Sequence, residues 1–332
     1  MTFASIIVPA YNVEATLAET LTALLVQTYP SFEIIVVDDG STDGTATLLK
    51  QFGRNPQVRV ITQKNRGLAG ARNTGIAAAK GAVIGFCDSD DLWHPSKLER
   101  HMIHLQCNPQ VGLSYSGSAL INDAGKPLRQ TQSPRLKGIT PAHIFKRNPI
   151  GNGSALVARK AVFEQIAFRP PHETVRDWFF DETFRQSEDI ECWLRIALTT
   201  AWRFEGIPDL LTQYRISAGG LSAGTERQFA AWSRMVEKLR PLDPAFFDAH
   251  VGSARAYQLR YLCRRAIKML DGERASALGT AWLREGGQTF REEPIKSVTT
   301  WACLMLLRVL GPNRLRSLFA VGTLMTGKGV AQ

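Results

Sequence analysis

The chain has 332 residues with 44% hydrophobic content, enough for two domains with real cores, which excludes wholesale disorder. Its formal charge is +10, of which +8 falls in residues 226–332, where 17 Lys and Arg face 9 Asp and Glu. The first 225 residues are nearly balanced, with 23 bases and 21 acids. Five scattered cysteines, none in a CxxC pair, exclude a disulfide scaffold and point to a reducing compartment.

Taken in order, the first ninety residues alternate strand and helix patterns. Phe3–Pro9 is a short apolar run closed by proline. Glu14–Gln27 carries Leu17, Leu21, Leu24 and Leu25 at helical spacing. Strands follow at Phe32–Val37, Val58–Ile61 and Ala82–Cys87, separated by helices at Asp43–Phe52 and Gly67–Lys80. That order predicts an α/β fold with an open, mostly parallel, Rossmann-like sheet flanked by helices, whose ligands bind at the carboxyl ends of the strands. Beyond Asp91 come a helix at Lys97–Gln106, strands at Val111–Leu120 and Ser154–Ala158, a helix at Ser187–Leu198, and one or two strands across Trp202–Tyr214. Residues 123–150 are rich in proline, glycine and bases and read as a mobile loop able to close over a ligand. From Glu226 onward the chain is helix-compatible, with breaks near Pro241–Pro244, Gly286-Gly287 and Gly311-Pro312. The start lacks the pattern of a signal peptide, and no window holds the roughly 18–20 apolar residues of a spanning helix. The expected location is the cytoplasm.

Chemistry-bearing residues gather at the predicted strand ends. Pro9-Ala10-Tyr11-Asn12 puts an aromatic ring where a base can stack on it, or where it packs over the sheet edge. Asp38-Asp39 follows the second strand and precedes a Gly-Ser-Thr-Asp turn. The turn is accounted for as a helix cap, the two carboxylates are not, and they suit a base N–H or a ribose hydroxyl. Asn65 to Gly75 is glycine-rich at a helix start, yet matches neither G-x-G-x-x-G nor the P-loop, which argues against dehydrogenases and NTPases. Arg72 in that stretch reads as a base or phosphate contact, or as a solvated helix arginine. Asp88-Ser89-Asp90-Asp91 places three carboxylates within four residues at a strand tip. Such charges repel unless a cation compensates them, and hard oxygen ligands suit Mg²⁺ or Mn²⁺ bridging a diphosphate. Glu188-Asp189 opens a helix, either as an acidic N-terminal turn or as a general base.

Together, Ser5–Asn12, Glu33–Thr45, Asn65–Gly75, Phe86–Asp91 and Glu188–Arg195 resemble the family-2 glycosyltransferases of GT-A fold. The resemblance is specific over residues 3–95, fair over 150–220 and absent beyond about 226. It implies an inverting enzyme that uses a nucleotide-diphospho-sugar donor, with a leaning to UDP, and a divalent metal. The acceptor would be a hydroxyl of a glycan or lipid-linked molecule in cell-surface polysaccharide synthesis. On this resemblance Pro9 and Tyr11 line the base pocket, Asp39 accepts from the base and Arg72 lies close by. Asp88 approaches the ribose and the metal, and Asp90 holds the metal. Asp189 is the catalytic base with Glu188 as its neighbour, and ionisation near neutrality requires its pKa to lie below 7. Tyr214-Arg215-Ile216-Ser217 departs from a family segment reading Tyr-Arg-x-His. Arg215 can still meet the diphosphate, while Ser217 stands where that segment has its histidine ligand or phosphate partner.

The expected division is a catalytic domain over 1–225, with a nucleotide half 1–95 and an acceptor half 96–225, and a basic helical region over 226–332. That tail mixes Arg255, Arg260, Arg264, Arg265, Lys268 and Arg274 with Tyr257, Tyr261, Trp301 and Leu306. It reads either as a bundle with a basic solvated face or as a surface lying on an anionic membrane leaflet. It contains no recognisable nucleic-acid-binding module, and no nucleic-acid partner is expected. Two other functions compete. A nucleotidyltransferase needs a glycine-rich basic loop after the first strand, where this chain has Ala10-Tyr11-Asn12-Val13-Glu14. A non-catalytic nucleotide-sugar or glycan-binding protein has no use for a base such as Asp189.

Overall fold

The computed structural model describes residues 1–216 and 225–326. The chain divides into two compact units, one of residues 1–140 with 149–218, the other of residues 141–148 with 219–332.

The first unit is built on β1 (Ala4–Ala10), α1 (Leu17–Leu25), β2 (Phe32–Asp38), α2 (Thr45–Phe52), β3 (Val58–Thr62), α3 (Gly67–Ala78) and β4 (Val83–Phe86). Every residue of β1, β2 and β4 is buried, as expected of parallel strands covered on both faces. The three strands run parallel, with Ala10 opposite Asp38 and Ile7 opposite Phe86, so their carboxyl ends open on one side. β2 lies on one flank of β1 and β4 on the other, a topological switch point where a crevice forms. α3 packs tightly because Gly75 has no side chain: a Cβ there would meet the Ile7 side chain at 2.4 Å.

The second half adds β5 (Leu92–Trp93), α4 (Lys97–Cys107), β6 (Val111–Ile121), β7 (Pro127–Gln132), β8 (Leu156–Arg159), α6 (Lys160–Gln165), α7 (Glu188–Thr199) and β9 (Arg203–Arg215); α5 (Pro141–Lys146) belongs to the other unit. The sheet runs β3-β2-β1-β4-β8-β6-β9-β5, with β7 paired to β6 off this path. Antiparallel pairing begins at β8, while β6 and β9 are parallel. Residues 123–150, expected as loop, contain β7 and α5. β7 is an edge strand opening on proline and mostly exposed, so it lacks the apolar alternation that reveals a strand. Trp202–Tyr214 resolves into one thirteen-residue strand, Arg203–Arg215.

The second unit is helical: α5, α8 (Thr225–Leu239), α9 (Pro244–Lys268), α10 (Gly272–Arg284), α11 (Gln288–Glu292) and α12 (Pro294–Thr326). Asp243 caps α9 by accepting from Phe246 N, and Asp271 caps α10 by accepting from Arg274 N. Phe145 stacks on Trp232 at 5.8 Å and meets Phe247 edge-on at 5.2 Å. Cys263, Ala266, Ile267, Ala275, Leu304 and Leu307 form a core between α9, α10 and α12. The expected break at Gly311-Pro312 is a kink: α12 runs as two arms meeting at Gly311, whose φ of 74° only glycine adopts without cost. No helix among the described residues is long and apolar enough to cross a membrane.

Candidate active site

The carboxyl ends of β1 and β2 are tied together. Asn12, at φ 53°, donates from its N–H to Ser41 Oγ (3.1 Å) and accepts from Thr42 N at its Oδ1 (2.8 Å). Pro9 is buried within β1, and Tyr11 projects beyond it, 50% exposed. Asp38 accepts from Ser41 N at 3.0 Å, closing the turn before α2. Asp39 is almost fully buried. Its Oδ1 accepts from Arg66 N (2.8 Å) and Gln63 Nε2 (2.6 Å), and its Oδ2 from Gly67 N (2.7 Å). It therefore anchors the start of α3, where the helix dipole favours a carboxylate, and keeps one acceptor direction on Oδ2.

The acidic turn after β4 splits into different environments. Asp91 is buried and held, accepting from Ser154 Oγ at 2.5 Å and from Arg215 N at 2.9 Å. Ser154 also accepts from Asp88 N at 2.8 Å, and its carbonyl receives Trp93 Nε1 (3.0 Å) and Lys97 Nζ (2.6 Å). Lys97 is completely buried, donates again to Thr212 Oγ1 at 2.6 Å and lies 4.5 Å from the Trp93 ring centroid. Burial pulls its ammonium down to about 7. Asp90 is half-buried, and burial together with the charge of Asp88 pushes its carboxyl up to about 6. An undercompensated carboxylate pair of this kind fits a hard divalent ion. Among the described residues no group of three or more His, Cys, Asp or Glu is placed to hold a metal. Mg²⁺ commonly takes one or two protein carboxylates and completes its shell with phosphates and water, and Asp88 and Asp90 offer that number.

Arg72 links the acidic turn to the predicted base. Its guanidinium is buried and donates from Nη2 to Asp88 Oδ1 and from Nη1 to Glu188 Oε1, both at 3.0 Å. Its charge lies 5.6 Å from the Phe180 ring centroid and 5.9 Å from that of Phe86. Its Nε is buried without a hydrogen-bond partner among the described residues. Asp189 follows Glu188 in the first turn of α7, after Ser187 at φ 63°. Burial and the neighbouring Asp189 charge raise Glu188 to about 7, against the pull of Arg72. Burial also raises Asp189 from the usual aspartate range, again opposed by Arg72. The ends of β2 and β4 and the start of α7 are thereby connected through α3, and the end of β1 is tied in through the turn after β2.

Arg215 sits differently from a free phosphate ligand. Its side chain is 4% exposed and donates to the carbonyls of Asp90 (2.8 Å), Asn122 (3.1 Å) and Asp123 (2.8 Å) and to Glu19 Oε2 (2.7 Å). It fastens the acidic turn to β6 and α1 with four of its five N–H groups, and one N–H on Nη2 lies outside these bonds. Ser217 lies outside the described residues.

Ser154, Lys97 and the clamp that seats the segment before α7 are not among the residues expected from the sequence. In that clamp Arg66 pairs with Glu173 and Glu182, and Asn73 binds both Glu182 Oε1 (2.9 Å) and the backbone of Phe179 and Phe180. The available signal was Asn73 beside Arg72 in a helix otherwise made of uncharged, mostly small residues.

Residues 5–167 match the profile of the family described as glycosyl transferase family 2. An "uncharacterized glycosyltransferase" of Rickettsia felis is 31% identical over 215 residues, which are 65% of this chain and 33% of the relative, so the chain spans about a third of that protein's length. The UDP-Glc:alpha-D-GlcNAc-diphosphoundecaprenol beta-1,3-glucosyltransferase WfgD of Escherichia coli is 37% identical over 220 residues, covering 66% of this chain and 79% of the relative. Among solved structures, S. aureus TarS 1–349 in complex with UDP-GlcNAc aligns with a TM-score of 0.60 at 19% identity, covering 92% of this chain and 91% of that one. The mannosyltransferase PcManGT of Pyrobaculum calidifontis, in complex with GDP-Man and Mn²⁺, aligns with a TM-score of 0.57 at 20% identity, covering 93% and 87%. These two share the fold.

Proposed function

The chain belongs to glycosyl transferase family 2, and on that premise we propose that it transfers a sugar, with inversion, from a UDP-sugar to a hydroxyl of a polyprenol-diphosphate-linked or glycan acceptor in cell-surface polysaccharide synthesis. The observation that carries this reading is Arg72, whose two 3.0 Å bonds join the donor-side carboxylate Asp88 to the Glu188-Asp189 pair. A binding protein has no need to couple these groups.

Tyr11 and Pro9 receive the base, and the remaining acceptor direction of Asp39 takes its N–H. A divalent ion, Mn²⁺ or Mg²⁺, held by Asp90 and Asp88 in company with the donor phosphates, would neutralise charge building on the leaving diphosphate. Asp189 takes the proton from the acceptor hydroxyl as its oxygen attacks the anomeric carbon from the face opposite the nucleotide. Glu188 and Arg72 hold Asp189 in place and balance its charge. Arg215 supports the acidic turn from behind. Residues 1–225 carry out this chemistry, and the basic residues 226–332 keep the enzyme at the cytoplasmic face of a membrane, where a polyprenol-linked acceptor resides. The specific acceptor is supported by likeness to the E. coli enzyme, named for a diphosphoundecaprenol-linked substrate.

The test is turnover of UDP-, GDP- and dTDP-sugars by the purified chain with a polyprenyl-diphosphate-GlcNAc acceptor, with Mn²⁺ and then with EDTA. Metal-dependent release of UDP together with an extended lipid product is expected. Absence of both turnover and metal-dependent nucleotide binding would overturn the reading.

A further inference from the structure

α12 contains 33 residues with four bases, Lys296, Arg308, Arg314 and Arg316, and no Asp or Glu. Its first arm buries Ser297, Thr300, Leu304 and Leu307 against its own unit. Its opposite face is apolar and uncovered. Ile295, Val298, Trp301, Leu306 and Val309 fall on one stripe at helical spacing, with Ile295 81% and Val309 80% exposed. Single exposed apolar residues are ordinary, but five on one side of one helix are not. α9 packs beside α12 and carries a cationic cluster, Arg264, Arg265 and Lys268, with no ion pair to any described carboxylate. Tyr261 and Met269 are exposed on the same helix. Burial, and then the charges of Arg264 and Arg265, depress Lys268; burial, and then Arg260 and Arg147, depress Arg264 against the pull of Glu293. A protein partner would need its own acidic groups and apolar patch in matching places. A fluid anionic bilayer supplies both without register: acyl chains for the stripe, headgroups for the cations, and a boundary region for the tryptophan.

We infer that the exposed face of α12 is an in-plane membrane-docking surface, seated at the headgroup–acyl boundary of an anionic bilayer, with Arg264, Arg265 and Lys268 among the headgroups. This deepens the membrane-surface part of the proposed function and rests on it. Gly311 lets the arm after it turn away from the line of the first, so the seated portion is the Pro294–Leu310 arm, too short to span.

The experiment is co-sedimentation of the full chain with vesicles of phosphatidylglycerol and phosphatidylcholine in equal parts, and with pure phosphatidylcholine, at low salt. The wild type is expected to pellet with the mixed vesicles and far less with the neutral ones. Arg264→Gln with Lys268→Gln should lower partitioning by about twenty-five-fold, and Val298→Asp with Val309→Asp should abolish it. Far-UV circular dichroism and UDP binding report whether the variants fold. Equal binding to both vesicle types, or unchanged binding by folded variants, overturns the inference. So does a wild-type oligomer that ignores vesicles and that the aspartate variant dissociates, because the face is then a contact between copies. UDP-sugar consumption without vesicles, read on the same samples, separates failure of the docking surface from failure of the enzymatic reading.

Discussion

Gly153 makes room for Arg72: a Cβ at position 153 would lie 2.4 Å from Arg72 Nη2 and 3.1 Å from Asp88 Oδ2. Arg72 is buried against Phe86 and Phe180 and cannot retreat. Gly153→Ala should therefore push the guanidinium off Asp88 or Glu188. The expected result is a fall in kcat/KM on the order of a hundredfold with the fold retained, since misplacing catalytic groups by about 1 Å carries a penalty of that size. Activity within twofold of wild type would show that the close approach has no role in turnover.

Asp189→Asn should abolish transfer while leaving UDP binding intact, because the base contributes only as the acceptor proton leaves. The pH profile follows from the raised carboxyls. Both members of the pair lose their charge as pH falls, Glu188 through about 7. Log kcat/KM is thus expected to climb with pH up to near neutrality and then flatten. Glu188→Gln removes a like charge beside Asp189, so it should move that limb to lower pH as well as slow the reaction. A profile flat from pH 5 to 8 would contradict the assignment of the base.

Asp90→Asn tests the metal reading without turnover. Nucleotide-assisted Mn²⁺ binding, followed by paramagnetic relaxation of water, should weaken by about tenfold or more. In the wild type, a proton on Asp90 competes with the ion below about pH 6, so affinity should fall as pH drops through that value. An Asn variant with unchanged Mn²⁺ affinity would place the ion elsewhere.

How much of this was legible depends on how local the signal is. Asp39, Asp88 and Asp90 sit just past apolar runs, and a strand followed by carboxylates can be read directly from the chain. Arg72 was legible as a residue but not as a bridge, because Glu188 lies 116 positions away. Ser154 was invisible as a hub for the same reason: it joins Asp91 and Lys97 from 63 and 57 positions off, and a serine in the single turn before a short strand carries no local mark. Lys97 looks like any first-turn helix lysine, and only the tertiary fold removes it from water. β7 escaped because an exposed edge strand obeys pairing geometry instead of apolar alternation.

Lys97 has a thermodynamic signature. Folding lowers its pKa from 10.5 to about 7, so between those values the unfolded chain holds a proton that the folded chain has released. Stability therefore rises with pH across that window and is lowest below it, by at most about 1.4 kcal/mol per pH unit. The difference in unfolding free energy between wild type and Lys97→Met should shift toward the wild type from pH 7 to 9. A difference independent of pH would mean that the ammonium keeps its charge through the hydrogen bonds to Ser154 and Thr212.

The nine-stranded sheet offers little foothold for lateral growth. At one end β5 is two residues long, and at the other β3 carries Arg59 in mid-strand. The side branch β7 opens with Pro127 and places Arg129 in the row. Short, charged or proline-bearing borders discourage an additional strand from another molecule. During expression or concentration the catalytic unit should therefore resist amyloid-like stacking, and the sticky surface to manage is the bare side of α12, for which detergent or lipid is the remedy.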